Sequence, residues 1–70
     1  MPIMLAPINE PVRVIKILSD EKMKRHLESL GILPNSVLTV LSCVNGGVVV
    51  AIKNGRIALD HEIASKILVA

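Results

Sequence analysis

Between residues 20 and 36 the chain reads DEKMKRHLESLGILPNS, a capped helix with a hard stop set in a sequence that otherwise favours strands. Met23, Leu27 and Leu30 recur at i, i+4 and i+7 and so share one helical face, while Lys22, Lys24, Arg25, Glu28 and Ser29 take the others. That face has to bury against something. Ser19 or Asp20 can cap the first turn, Asp20 and Glu21 suit the positive end of the helix dipole, and Glu21 and Arg25 are spaced as an i,i+4 ion pair. Gly31 is the left-handed residue that ends the helix. Leu33 is pushed to an extended conformation by Pro34, and Pro34-Asn35 makes a tight turn, since proline presets φ and asparagine tolerates positive φ.

The flanks read as β-structure. Three of the four prolines fall in residues 1–11, an extended lead-in with one turn. Residues 12–18, VRVIKIL, are rich in β-branched side chains and form the first strand. The alternation slips there: Val12 and Val14 share one face, then Ile15 and Ile17 the other, which requires either cover on both faces or a bulge. Residues 36–44 form a second strand, and Asn45-Gly46-Gly47 turns into a third over 48–53. A three-residue turn would place Leu38, Val40 and Ser42 on the face of Val48, Val50 and Ile52, and a two-residue turn would place Leu41 and Cys43 there. Thr39 and its apolar neighbours favour Leu38 and Val40 inside, with Cys43 left open. Asn54-Gly55 then predicts a type I′ hairpin to a fourth strand over 56–59, pairing Lys53 with Arg56, Ile52 with Ile57, Ala51 with Ala58 and Val50 with Leu59. Asp60 caps a helical turn over 60–65, with Ile63 inward and His61 and Glu62 outward, before a last strand at 66–70. The fold class expected is mainly β: one domain over residues 1–70, a small, partly open barrel of about five strands with one inserted α-helix and a short helical turn before the last strand. No repeat, low-complexity tract or linker interrupts it.

Seventy residues bury only about 60% of their unfolded surface, so such a domain depends on an apolar core. Here 51% of residues are hydrophobic and none is aromatic, so Ile, Leu, Val, Met and Ala must supply it. The lack of rings excludes base-stacking platforms and the aromatic grooves that hold proline-rich peptides. A net charge of +2 is too small for a nucleic-acid footprint. No apolar run reaches the roughly 18 residues of a membrane span, and MPIMLAP lacks the charged start of a signal peptide. A lone Cys43 forms no internal disulfide, in keeping with a cytoplasmic protein.

Catalytic constellations are missing. No nucleophile elbow, glycine-rich phosphate loop, HExxH or CxxC spacing occurs. Asp60-His61-Glu62 groups a base with two carboxylates, but consecutive residues at a helix start diverge and read as a solvated cap. Cys43, His26, His61, Asp60 and Glu62 are the available metal ligands, and none is spaced as a closed site, so no metal residue is assigned and no cofactor is expected beyond a weak case for ferrous iron. The basic cluster Lys22, Lys24, Arg25, His26 reads first as a solvated helix face. A module without catalytic groups or rings acts by touching another macromolecule, and Lys22, Arg25 and His26 are the candidate partner-binding residues.

These residues resemble a known family. Leu27-x-x-Leu30-Gly31-Ile32-x-Pro34-Asn35-Ser36 before an apolar strand is similar to the LxxLGLxPG signature of the ferrous-iron-transport protein A (FeoA) family. VRVIKI, and Arg56-Ile-Ala-Leu59-Asp-His-Glu-x-Ala64-x-x-Ile67-x-Val69, resemble that family's first strand and its C-terminal end. The match runs through nearly the whole chain in the family's order. It departs at Asn9 and Asn35, where the family favours glycine, and asparagine keeps the positive φ those turns need. Asp60 and His61 stand where the family is basic, which removes positive charge from any partner contact there.

The resemblance implies an SH3-like barrel and a non-enzymatic, cytoplasmic accessory of ferrous iron uptake. Its implied partner is the cytoplasmic region of FeoB, a membrane transporter with a GTP-binding domain. Two alternatives stand beside it: an SH3-like regulatory, metal-responsive domain related to the C-terminal domain of iron-dependent repressors, and a small transition-metal carrier. The first needs a helix-turn-helix domain, which a 70-residue chain opening on Met is not expected to have. Neither nucleic-acid binding nor membrane insertion is expected, while exposed strand edges leave a route to homo-oligomers.

Overall fold

The computed structural model describes all 70 residues. Five strands, β1 (Pro11–Ile17), β2 (Val37–Val44), β3 (Gly47–Ile52), β4 (Gly55–Leu59) and β5 (Ile67–Val69), form one antiparallel sheet in the order β4-β3-β2-β1-β5. Helix α1 (Glu21–Ser29) is inserted between β1 and β2, and the single turn α2 (His61–Ala64) between β4 and β5. The sheet curls into a partly open, SH3-like barrel around fifteen buried residues, all of them apolar. Val14, Val50, Val69, Ile3, Ile32 and Ile67 are fully enclosed, so aliphatic packing alone fills the space that rings would otherwise take.

Two bulges bend this sheet. In β1 the ladder to β5 pairs Val14 with Val69 and then Lys16 with Leu68, so Ile15 is the extra residue. The slip in VRVIKIL is thus a bulge: Val12, Val14 and Ile17 all point inward, and Ile15 is thrown to the outside at 48% exposure. In β2 the pairing runs Thr39–Ala51, Val40–Val50, then Ser42–Val49, which leaves Leu41 as the extra residue. The β2–β3 turn has two residues, Asn45-Gly46, yet Leu38 and Val40 are buried, because the bulge at Leu41 shifts the register between the turn and the barrel. Cys43 ends exposed at the far end of β2.

The last hairpin departs from its predicted register. Ile52 pairs with Gly55, Ala51 with Arg56, Val50 with Ile57 and Val48 with Leu59. The turn therefore sits on Lys53-Asn54, one residue upstream, and the ladder slides by two. An even slide keeps every side chain on its face. The predicted pairing would have set Val49 against Asp60 and Val48 against His61. The observed one pairs Val48 with the buried Leu59 and leaves Asp60 to cap α2, its carboxylate accepting from the Ile63 N–H at 2.9 Å.

Local signals around α1 act as the sequence predicts, with two adjustments. The Asp20 carboxylate caps the helix by accepting from the Met23 N–H at 2.8 Å, and Gly31 ends it at φ +93°. Leu27 is buried and Met23 packs on the core, but Leu30 is the half-exposed C-cap and Ile32, after the reversal, takes the enclosed position instead. Glu21 reaches Lys24 at 3.8 Å rather than Arg25, an exposed pair of little energetic weight. At the sheet's other end the first two residues run beside β5: the Met1 amine donates to the Val69 carbonyl at 2.8 Å, the Val69 N–H returns a bond to Met1 at 2.7 Å, and Pro2 bridges to Leu68.

Candidate functional site

The bulge in β1 and the turn after α1 build a groove between them. Asn35 holds φ +76°, which makes the type II turn that Pro34 at the preceding position favours. Its N–H donates to the Val14 carbonyl, and the Val14 N–H donates to Ser36, each at 2.8 Å. The turn is closed by the Ser36 N–H bonding Leu33 at 2.9 Å and by the Leu33 N–H bonding the Ser36 hydroxyl at 3.1 Å. These bonds clamp the turn to the strand at the bulge and set Leu33, 39% exposed, and Pro34 into one groove with Ile15.

Helix α1 forms the opposite wall with Glu21, Lys24, Arg25 and Glu28, and Lys16 closes the rim. The groove measures about 240 Å³. Its apolar floor and charged rim, with three cations and two carboxylates, suit an inserted aliphatic side chain on a polar partner. No serine, threonine or cysteine lines it.

The three residues singled out as partner-binding are all exposed, but α1 divides them. Arg25 lines this groove. Lys22 and His26 point to the other flank, where they line a separate depression with Met23, Glu62 and Lys66. Ile15 and Leu33 were not among the candidates. The slipped alternation in VRVIKIL was the signal for Ile15, because a bulge must expose one of the residues it displaces; Leu33 had none beyond the adjacent proline.

The candidate metal ligands are scattered. No three His, Cys, Asp or Glu side chains gather into a group that could hold a metal ion. The Cys43 thiol lies 3.7 Å from the Met4 carbonyl, the Asp60 carboxylate caps α2 through Oδ1, and the His61 ring lies against Gly46 of the β2–β3 turn. No helix is long and apolar enough to cross a membrane.

Comparison with known proteins gives the following. No curated protein matches. Among solved structures, a crystal structure of an iron uptake regulatory protein (FeoA) superposes with a TM-score of 0.87 at 21% identity, over 99% of this chain and 93% of that one. A FeoA protein from Chlorobium tepidum gives 0.83 at 20% identity, over 99% and 68%. At those identities the likeness shows the fold. A manganese-dependent transcriptional repressor, solved with manganese, gives 0.85 at 28% identity, and this chain, matched over 100% of its length, spans 35% of it. The FeoA domain model matches residues 1–70, and with a match of that extent the chain belongs to the FeoA domain family.

Proposed function

We propose that the chain is a non-enzymatic accessory of ferrous iron uptake that docks on the cytoplasmic region of a FeoB-type GTP-binding transporter and modulates it. The observation that carries this reading is the family match over residues 1–70. The groove between β1 and α1 is the docking place it favours, because Ile15 and Leu33 are apolar side chains left exposed beside a mixed-charge rim. Arg25 belongs to that rim, and Lys22 and His26 stand off it, so charge reversal at Arg25 weakens binding more than reversal at either of the other two.

The test is retention of the transporter's cytoplasmic region on the immobilised chain, with and without guanine nucleotide. Retention is expected, with a loss of at least about tenfold in affinity for Ile15→Asp or Leu33→Asp, each of which removes an apolar contact and desolvates a charge. No retention in either nucleotide state overturns the proposal.

A second reading has one observation in its favour, the 28% identity to the manganese-dependent repressor. As a regulatory domain the chain would respond to a divalent metal, and anaerobic titration with ferrous iron or manganese tests that response. Saturable binding near stoichiometric concentration supports it, or a carrier role, and absence of saturation removes both. Binding to DNA is not expected even at low salt, where phosphate contacts are strongest.

A further inference from the structure

The two edges of the sheet are treated differently by the fold. The β5 edge is covered by the chain's own first residues through the reciprocal Met1–Val69 bonds and the Pro2–Leu68 bridge. The β4 edge is bare: beyond its ladder with β3, the β4 backbone makes no hydrogen bond. Which groups face outward follows from the alternation of the ladder. Val14 exchanges bonds with Asn35 and Ser36, so Leu38 turns its backbone to β1, Thr39 to β3, and Ala51 to β2. Ile52 and Val50 are then bonded to Gly55 and Ile57, and the N–H and C=O of Arg56 and Ala58 point into solvent.

The charges along this edge are polar in the sense of direction. Lys53 and Arg56 stand at its start and Asp60 just past its end, and Ala58 between them is the smallest side chain on the exposed face. A strand that is positive at one end and negative at the other is complementary to itself when run antiparallel.

We propose that the β4 edge pairs antiparallel with the β4 edge of a second copy, about a two-fold axis through Ile57. In this register Arg56 lies opposite the partner's Ala58, and both present outward N–H and C=O groups, so the two symmetric pairs make four backbone hydrogen bonds. Arg56 then has the partner's Asp60 as its diagonal neighbour, within reach of a long side chain. A register one step either way sets Arg56 against the partner's Arg56, or Ala58 against the partner's Ala58 with Arg56 opposite the partner's Asp60, past the end of β4, where the Asp60 carbonyl already accepts from the Ala64 N–H and fewer backbone bonds can form. On the opposite face the half-buried Ile57 meets the partner's Ile57 beside Ile52 and Leu30. Strands of five residues bury less than the roughly 1,200 Å² of a standard stable interface, so the dimer is weak and forms on the order of hundreds of micromolar. It uses the opposite end of the sheet from the groove at Ile15 and stands independently of the transporter reading.

Sedimentation equilibrium of the whole chain from micromolar to millimolar concentration, at low salt and in 0.5 M salt, provides the test (about 0.5 M shortens screening to a few ångströms). A monomer–dimer equilibrium is expected, weakened by salt. Ala58→Pro removes only an outward N–H and keeps the β3 ladder, and Ile57→Lys sets like charges on the axis; each should raise the dissociation constant by roughly tenfold or more. Arg56→Glu should weaken the dimer several-fold at low salt and scarcely at high salt. Because Ile57→Lys could also loosen the barrel, amide exchange is followed in parallel: in the wild-type chain, Arg56 and Ala58 protection should rise with concentration. A chain that stays monomeric to millimolar concentration overturns the proposal, as does a dimer indifferent to both Ala58→Pro and Arg56→Glu.

Discussion

Asn-Gly occurs twice in this chain, at residues 45–46 and 54–55, each time where one strand of a hairpin gives way to the next, and the two behave differently. The first adopts the conformation the dipeptide favours, with Asn45 at φ +54° and Gly46 at +80° between the paired Val44 and Gly47. In the second, Asn54 does not enter the positive-φ region, the turn moves back to Lys53-Asn54, and Gly55, at φ +143°, already stands in the ladder opposite Ile52. The surroundings account for the split. A side chain at Gly46 would run into the His61 imidazole, so α2 holds that turn from above, whereas nothing lies within 4 Å of a side chain at Gly55. The packed turn keeps its intrinsic geometry. The free one gives way to a ladder that also releases Asp60 for capping.

Breaking the packed turn should cost most. Gly46→Ala pays left-handed strain of about 1–2 kcal/mol and must also displace His61, so a loss of about 2–3 kcal/mol is expected in urea denaturation. If the imidazole is the obstacle, His61→Ala in the same background returns about 1 kcal/mol, and strictly additive effects would show that backbone strain is the whole cost. The smallest and sharpest comparison is between the asparagines: Asn45→Ala should cost about 1 kcal/mol, because alanine tolerates φ +54° poorly, and Asn54→Ala no more than about 0.5 kcal/mol. Equal losses at both positions would mean that the second turn also visits the type I′ form.

The parts of this fold legible in the sequence are those whose causes lie within a few residues. Asp20 and Asp60 cap, Gly31 stops α1, and Asn35 turns the chain, each by chemistry carried in its own neighbourhood. The β4 register was not legible, because it follows from competition between the Asn54-Gly55 turn and the demands of Leu59 and Asp60 further along. Cys43 could not be placed for a similar reason: the bulge at Leu41 reverses what the turn length implies. The basic cluster on α1 looked continuous in sequence, yet 100° per residue sends Arg25 to one flank and Lys22 and His26 to the other. Ile15 shows the converse, an apolar residue counted toward the fold that the bulge in β1 leaves outside it.

The reciprocal bonds between Met1 and Val69 bring the two ends of the chain side by side. A peptide linker of a few residues would span them at little entropic cost, so the barrel is open to circular permutation. New termini cut at the unpacked Lys53-Asn54 turn would interrupt no turn that another element holds in place. Such a permutant would turn the β3–β4 hairpin into a pairing of chain ends, and its folding rate would report how far that local contact carries the assembly of the sheet.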